Sequence, residues 1–160
     1  MAKPVKTNVL RHLDAEKIPY ETLTYEVEKD HFDGKTVAAQ VGLDPDMVYK
    51  TLVLCDDAHG HLVCVIPVNL ELDLKKVARA SGHKAVSMLP QKELLPLTGY
   101  IRGGCSPIGM KKAFPTYIQE DAQLQERISV SAGVRGCQVI LGVEDLVRCS
   151  GAQYADLCRA

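Results

Sequence analysis

The chain has 160 residues, enough for one domain spanning residues 1–160 to bury a substantial core without disulfide or metal staples. Its 19 lysines and arginines nearly balance 20 aspartates and glutamates, giving a net charge of -1. No global field therefore draws it to nucleic acid or to an anionic membrane, and any RNA contact has to be local or supported by a partner. The cysteines at 55, 64, 105, 137, 149 and 158 form no Cys-x-x-Cys pair, and three of them lie in apolar strand-like runs. They read as the reduced thiols of a soluble cytoplasmic protein, with no leader peptide or membrane span in view.

Taken in order, Thr7 is placed to cap a short helix with Val9, Leu10 and Leu13 inward, and residues 20–25 read as a first strand. Thr36 opens a helix carrying Val37, Ala38 and Val41, and Asp44-Pro45 fits a cap followed by proline at the first helical position. Residues 48–54 form a strand that ends at Asp56-Asp57, and residues 61–67, almost continuously apolar, pair with it as a hairpin. Asp73 caps a helix over 74–81 that stops at Gly82. A short strand over 84–88 and a helix over 90–95 ended by Pro96 come next, and then a glycine-rich segment. Strands over 116–118, 127–131 and 137–141, a helix over 144–148 and a last strand over 153–155 complete the chain. Strands and helices mix without βα alternation. The expected class is α+β, with a mixed, mostly antiparallel, barrel-like sheet surrounded by short helices.

Two stretches invite a chemical reading. Alternation puts Lys50 on one face of its strand with Leu52 and Leu54. An ammonium among leucines either snorkels to a sheet edge or serves a ligand pocket, because its desolvation is otherwise uncompensated. The segment from Gly103 to Gly109 has three glycines and a proline, which leave backbone amides open to a phosphate, carboxylate or ester oxygen; an irregular turn that needs glycine for shape explains it equally well. It fits neither a Walker loop nor a dinucleotide fingerprint. Cys105 within it has no histidine linked to it by sequence, His59 and His61 flank Gly60 at a turn without a third spaced ligand, and no Gly-x-Ser-x-Gly elbow exists. Nothing argues for a nucleophilic triad, a metal or a cofactor.

Tyr49-Lys50-Thr51-Leu52, the helix segment Leu72-Asp73-Leu74-Lys75-Lys76-Val77-Ala78, Gly103-Gly104-Cys105-Ser106-Pro107-Ile108-Gly109 and the turn Ser129-Val130-Ser131-Ala132-Gly133-Val134-Arg135-Gly136 together resemble the YbaK family of aminoacyl-tRNA deacylases. Four motifs in the family's order decide the reading of Lys50 in favour of a ligand site. The resemblance implies a trans-editing enzyme, related to the editing insertion of bacterial prolyl-tRNA synthetases, that hydrolyses mischarged Cys-tRNA(Pro) and extends to Cys-tRNA(Cys). It implies catalytic roles for Lys50, Gly103 and Gly104, and substrate contacts from Tyr25, Phe32, Thr51, Ser106, Pro107, Gly109 and Ser131. In the family's proposed mechanism the substrate's own thiol attacks the ester, so the protein supplies geometry and oxyanion donors instead of a nucleophile.

Two positions depart from the family pattern: Ala132 stands where a glycine is frequent, and Gln138 where an aspartate is. The implied partners are aminoacylated tRNA(Pro) and prolyl-tRNA synthetase, with Lys75, Lys76, Arg79, Lys111 and Lys112 as candidate basic contacts and no membrane or metal. An Ala-tRNA(Pro) deacylase that uses water, and a noncatalytic module that binds aminoacyl-tRNA or adenosine, are the alternatives.

Overall fold

The computed structural model describes residues 6–26 and 34–159. Helix α1 (Asn8–Ala15) buries Val9, Leu10 and Leu13. Thr7 caps it, its Oγ1 accepting from the Leu10 amide at 3.2 Å and donating to the Ala132 carbonyl at 2.6 Å, so one hydroxyl both starts the helix and fastens it to a distant turn. Strand β1 (Tyr20–Thr24) and helix α2 (Gly34–Val41) precede a 3-10 turn at Pro45–Met47, where the Asp44 carboxylate accepts from the Asp46 amide at 2.9 Å. Strands β2 (Tyr49–Cys55) and β3 (His61–Pro67) form the expected antiparallel hairpin, in register from Tyr49 opposite Pro67 to Cys55 opposite His61. Helix α3 (Leu74–Ser81) starts at Asp73, which accepts from the Lys75 and Lys76 amides, and ends at left-handed Gly82. Then come β4 (Ser87–Met88), α4 (Leu94–Thr98), β5 (Thr116–Gln119), β6 (Arg127–Ser131), β7 (Cys137–Gly142), α5 (Val143–Ser150) and β8 (Gln153–Ala155).

Five strands make one sheet in the order β4-β2-β3-β5-β8, and three make another in the order β1-β7-β6. The β3-β5 and β5-β8 pairs are parallel and the other ladders antiparallel. Apolar packing covers both faces of β3, which explains its unbroken apolar sequence. Leu62, Cys64 and Ile66 pack with Leu54 of β2, Val77 of α3 and Leu157. Val63 and Val65, on the opposite face, meet Ile128, Val130, Val139 and Leu141 of the three-stranded sheet. Each fully buried leucine or isoleucine in these layers contributes roughly 1.5–3 kcal/mol by transfer.

The expected barrel is not closed. Among the described residues the two sheets are joined by one parallel bridge, between Val48 and Ser129. On its outer edge β2 meets β4 only at Leu54 and Cys55, with one further bond from the Leu89 amide to the Val53 carbonyl. Between these attachments no strand among the described residues forms a ladder with Lys50, Thr51 or Leu52 on that side. The short β4 is the physical reason, since a two-residue strand cannot carry hydrogen bonding across the opening.

Pro96 does not stop a helix as the sequence predicts. Gln91–Glu93 form a 3-10 turn, and α4 runs through Pro96 to the left-handed Gly99. Pro96 falls in the first turn of α4, where an amide has no intrahelical acceptor, so its missing N–H costs nothing there.

Candidate functional site

The opening in the edge of β2 is a cavity of about 630 Å³. Lys50 and Thr51 of β2, Ser131 of β6, Gln138 of β7, and Gly103 and Cys105 of the loop after α4 line it. Val48, Leu89 and Leu94 form apolar wall, and Arg102 borders the same space. Three separate stretches of sequence, carrying Lys50 and Thr51, Gly103, and Ser131, thus line one cavity.

The three-stranded sheet sets the polar wall. Cys137, Val139 and Leu141 of β7 turn into the core, which places Gln138 on the opposite face, in register with Ser131 of β6 and Leu23 of β1. Ser129 lies on that face as well, and its Oγ donates to Gln138 Oε1 at 2.8 Å between two buried side chains. Tyr25 continues β1 past Thr24, its amide donating to the Gly136 carbonyl at 2.9 Å, and by alternation it shares the face of Leu23 and Gln138. Tyr25 Oη and Thr51 Oγ1 are buried without a hydrogen-bond partner among the described residues; Thr51 lines the cavity and Tyr25 does not. An unmade bond at a buried hydroxyl costs about 1–3 kcal/mol, which suits the Thr51 hydroxyl to a polar ligand. Phe32 lies outside the described residues.

The glycine loop divides into a lining part and a supporting part. Gly103 lines the cavity at a left-handed φ of 86°, which a larger residue adopts only with strain. Gly104 is buried against the β6-β7 turn, where an added Cβ would stand 3.1 Å from the Arg135 backbone nitrogen and from the Val134 carbonyl carbon. Its amide donates to the Ile101 carbonyl at 2.9 Å. The Gly104 amide is therefore committed to a turn and unavailable to an oxyanion in this conformation, while those of Gly103 and Cys105 meet no acceptor among the described residues. Ser106 is fully buried, with Oγ accepting from the Ile108 amide at 3.4 Å; Pro107 is buried, and Gly109 is exposed beside Tyr100 Oη. These three support the loop and do not line the cavity. Arg135 Nε donates to the Arg102 carbonyl at 2.7 Å, joining the loop to the turn.

None of the described lining residues is a carboxylate or a histidine. Burial pushes the Cys105 thiol up to about 12, so it is neutral at physiological pH and unsuited to attack. Lys50 is half-buried and, with Lys76, works against the burial that pushes the Cys158 thiol up to about 11. Of the candidate basic contacts, Lys76 is engaged with Asp156 at 3.0 Å and with the Cys158 carbonyl at 2.8 Å, so α3 does not present a row of equivalent solvated cations. A separate cluster joins the β2-β3 turn to the end of α3: His83 Nδ1 lies 2.9 Å from Asp57 Oδ1, and Nε2 lies 3.4 Å from Asp56 Oδ2. Asp56 also accepts from the Ala58 and Gly60 amides, and Asp57 from that of Lys84. With a carboxylate at each ring nitrogen, the cluster reads as an internally satisfied clamp.

Gln138, although noted as a departure, was not among the site residues expected from sequence. A signal was present: Ser129, Ser131 and Gln138 are polar residues alternating with the buried apolar residues Ile128, Val130, Cys137 and Val139. Cys105, for which the sequence offers no nucleophilic role, also lines the cavity.

Residues 29–149 match the family model described as an aminoacyl-tRNA editing domain. A protein of Enterococcus faecalis (strain ATCC 700802 / V583) named "Putative Cys-tRNA(Pro)/Cys-tRNA(Cys) deacylase EbsC" is 47% identical over 152 residues, covering 95% of this chain and 93% of its own. A solved structure described as "a putative trans-editing enzyme for prolyl tRNA synthetase" superposes with a TM-score of 0.86 at 23% identity, covering 100% of both chains. A scaffold protein used for epitope backbone grafting superposes with a TM-score of 0.84, also at 23% identity, over 96% of each chain. At that identity the two structures establish the fold alone.

Proposed function

This chain belongs to the aminoacyl-tRNA editing domain family, and we propose that it is a cytoplasmic deacylase that clears cysteine from tRNA(Pro), with Cys-tRNA(Cys) as a second substrate. The observation that carries the reading is the cavity at the open edge of β2, where Lys50, Thr51, Ser131 and the Gly103 amide converge and the described lining offers neither carboxylate nor histidine. Such a wall positions an ester and meets developing negative charge, but it has no evident base with which to activate water.

The chemistry then comes from the substrate. Its thiol sulfur bonds to the ester carbonyl carbon, the bond from that carbon to the ribose oxygen breaks, and the thiol proton ends on the ribose oxygen. The products are a cysteine thiolactone and uncharged tRNA, and the thiolactone hydrolyses in water. Gly103 contributes an amide to the oxyanion, Lys50 holds a nearby phosphate or ribose oxygen, and Thr51 and Tyr25 supply hydroxyls to the bound aminoacyl end. Gly104, Ser106, Pro107 and Gly109 serve by shaping the loop.

With near-zero net charge the chain binds tRNA weakly by itself, because counterion release scales with local basic contacts. Prolyl-tRNA synthetase on the same tRNA(Pro) therefore assists recruitment. The test is deacylation of Cys-tRNA(Pro), Ala-tRNA(Pro) and Cys-tRNA(Cys) side by side, with detection of thiolactone. Turnover of both cysteinyl substrates with thiolactone released is expected. Preferential turnover of Ala-tRNA(Pro) would assign a water-dependent enzyme instead, and tight binding without hydrolysis a binding module.

A further inference from the structure

Gln138 is 5% exposed, Ser129 is 0% exposed, and the hydrogen bond between them spans adjacent strands of a rigid antiparallel hairpin. Because Oε1 accepts from the Ser129 hydroxyl, the carboxamide plane is set and Nε2 is directed away from that bond. Nε2 makes no hydrogen bond to the described residues, and it is not among the sealed atoms without partners, which are Tyr25 Oη and Thr51 Oγ1. Since Gln138 lines the cavity, the N–H donors that no described residue engages are on offer to a ligand bound there.

A fixed amide donor selects among the groups at the acyl end of an aminoacyl ester. It cannot satisfy an α-ammonium, which is itself a donor. It matches the carbonyl oxygen, the acceptor whose negative charge grows as the thiol attacks. The Gly104 amide, which the glycine motif alone nominates for that oxygen, is already bonded to Ile101. A side-chain donor on the facing sheet wall complements the Gly103 amide.

Resting on the deacylase reading above, we propose that Gln138, oriented by Ser129, donates a hydrogen bond from Nε2 to the acyl carbonyl oxygen of the bound ester. Gln138 is then a catalytic donor and Ser129 a positioning residue. A carboxylate at 138 would instead attract the α-ammonium and repel the oxyanion, so the residue also tunes which ester orientation reacts.

The test compares wild type, Gln138→Glu, Gln138→Met and Ser129→Ala in single-turnover and steady-state deacylation of Cys-tRNA(Pro) between about pH 4 and about pH 8.5, a range that spans the ordinary glutamate titration, with thermal melting alongside. Gln138→Glu keeps an acceptor for Ser129 but loses the donor once ionised. Its kcat is expected to fall by about 10²-fold near neutral pH with KM little changed, and to recover relative to wild type as acid restores an O–H donor. Gln138→Met, neutral and without a donor, is expected to lose kcat at every pH. Ser129→Ala is expected to lose less, because it frees the carboxamide to rotate without removing it. Wild-type kcat in folded Gln138→Met, a Gln138→Glu defect confined to KM, or a Gln138→Glu to wild-type ratio independent of pH would each overturn the proposal. Failure of the wild-type protein to deacylate any cysteinyl-tRNA would instead overturn the deacylase reading, and this inference with it.

Discussion

Gly104 lies against Arg135 so closely that a β-carbon on the glycine would stand 3.1 Å from the Arg135 backbone nitrogen. The obstacle is main chain and cannot rotate away, so glycine is needed here for contact between the cavity loop and the β6-β7 turn. Gly104→Ala is expected to cost about 1–3 kcal/mol through overpacking and to lower deacylation by displacing Gly103. Melting and turnover measured on the same preparation check this; an alanine variant with wild-type values in both would remove the role assigned to the contact.

Lys50→Ala should separate function from folding. The residue is half-buried at the cavity, on a strand whose neighbours Val53 and Leu54 are buried in the two core layers. Loss of about 10²-fold or more in kcat/KM, with an unchanged melting temperature, is the expected outcome. Near-wild-type turnover by the folded variant would contradict a role for the ammonium at the ester.

Cys105→Ala is expected to leave turnover close to wild type, because burial pushes the thiol pKa up to about 12 and keeps it neutral. Alkylation of the native protein by iodoacetamide should accordingly spare this residue, as peptide mapping would show. Abolished activity in a folded alanine variant would reinstate a thiol mechanism.

The clamp at His83 predicts a pH dependence of stability. Hydrogen bonds hold both aspartates below the ordinary carboxylate value of 3.8: the Gly60 and Ala58 amides act on Asp56, and the Lys84 amide followed by the His83 ring acts on Asp57. A carboxylate whose folded pKa is depressed contributes stability above the unfolded value and loses it as pH falls through the folded value. Asp57→Asn should therefore melt below wild type at neutral pH, and the two curves should converge as pH falls through the depressed folded value, below 3.8. Parallel curves across that range would show that Asp57 makes no such contribution.

Much of the site was legible because it depends on local sequence. Lys50 is conspicuous in an apolar strand, and the hairpin, the Asp73 cap and the Gly82 stop follow from neighbouring residues. What escaped depends on distant chain. Whether the sheet closes is decided by how few residues β4 contributes to the edge of β2. That the Gly104 amide is consumed by Ile101, and that glycine there answers to Arg135, are facts of packing invisible in a glycine-rich motif. Gln138 acquires its orientation from Ser129 across the hairpin. Pro96 was misread because a proline signals a helix end or a helix beginning according to which turn it occupies.

The bond between Thr7 and Ala132 joins residues 125 positions apart, and β1 finds its ladder partner in β7. On the ribosome, the first helix and strand emerge long before the segment that completes them. The β2-β3 hairpin and α3 have their partners close in sequence and are the natural early nucleus, whereas the sheet carrying Ser129, Ser131 and Gln138 assembles only after β7 is made. A nascent chain stalled before that strand therefore lacks Gln138 and its hold on Ser129, and the apolar side of α1 lacks Val139 and Leu141 of its core cluster.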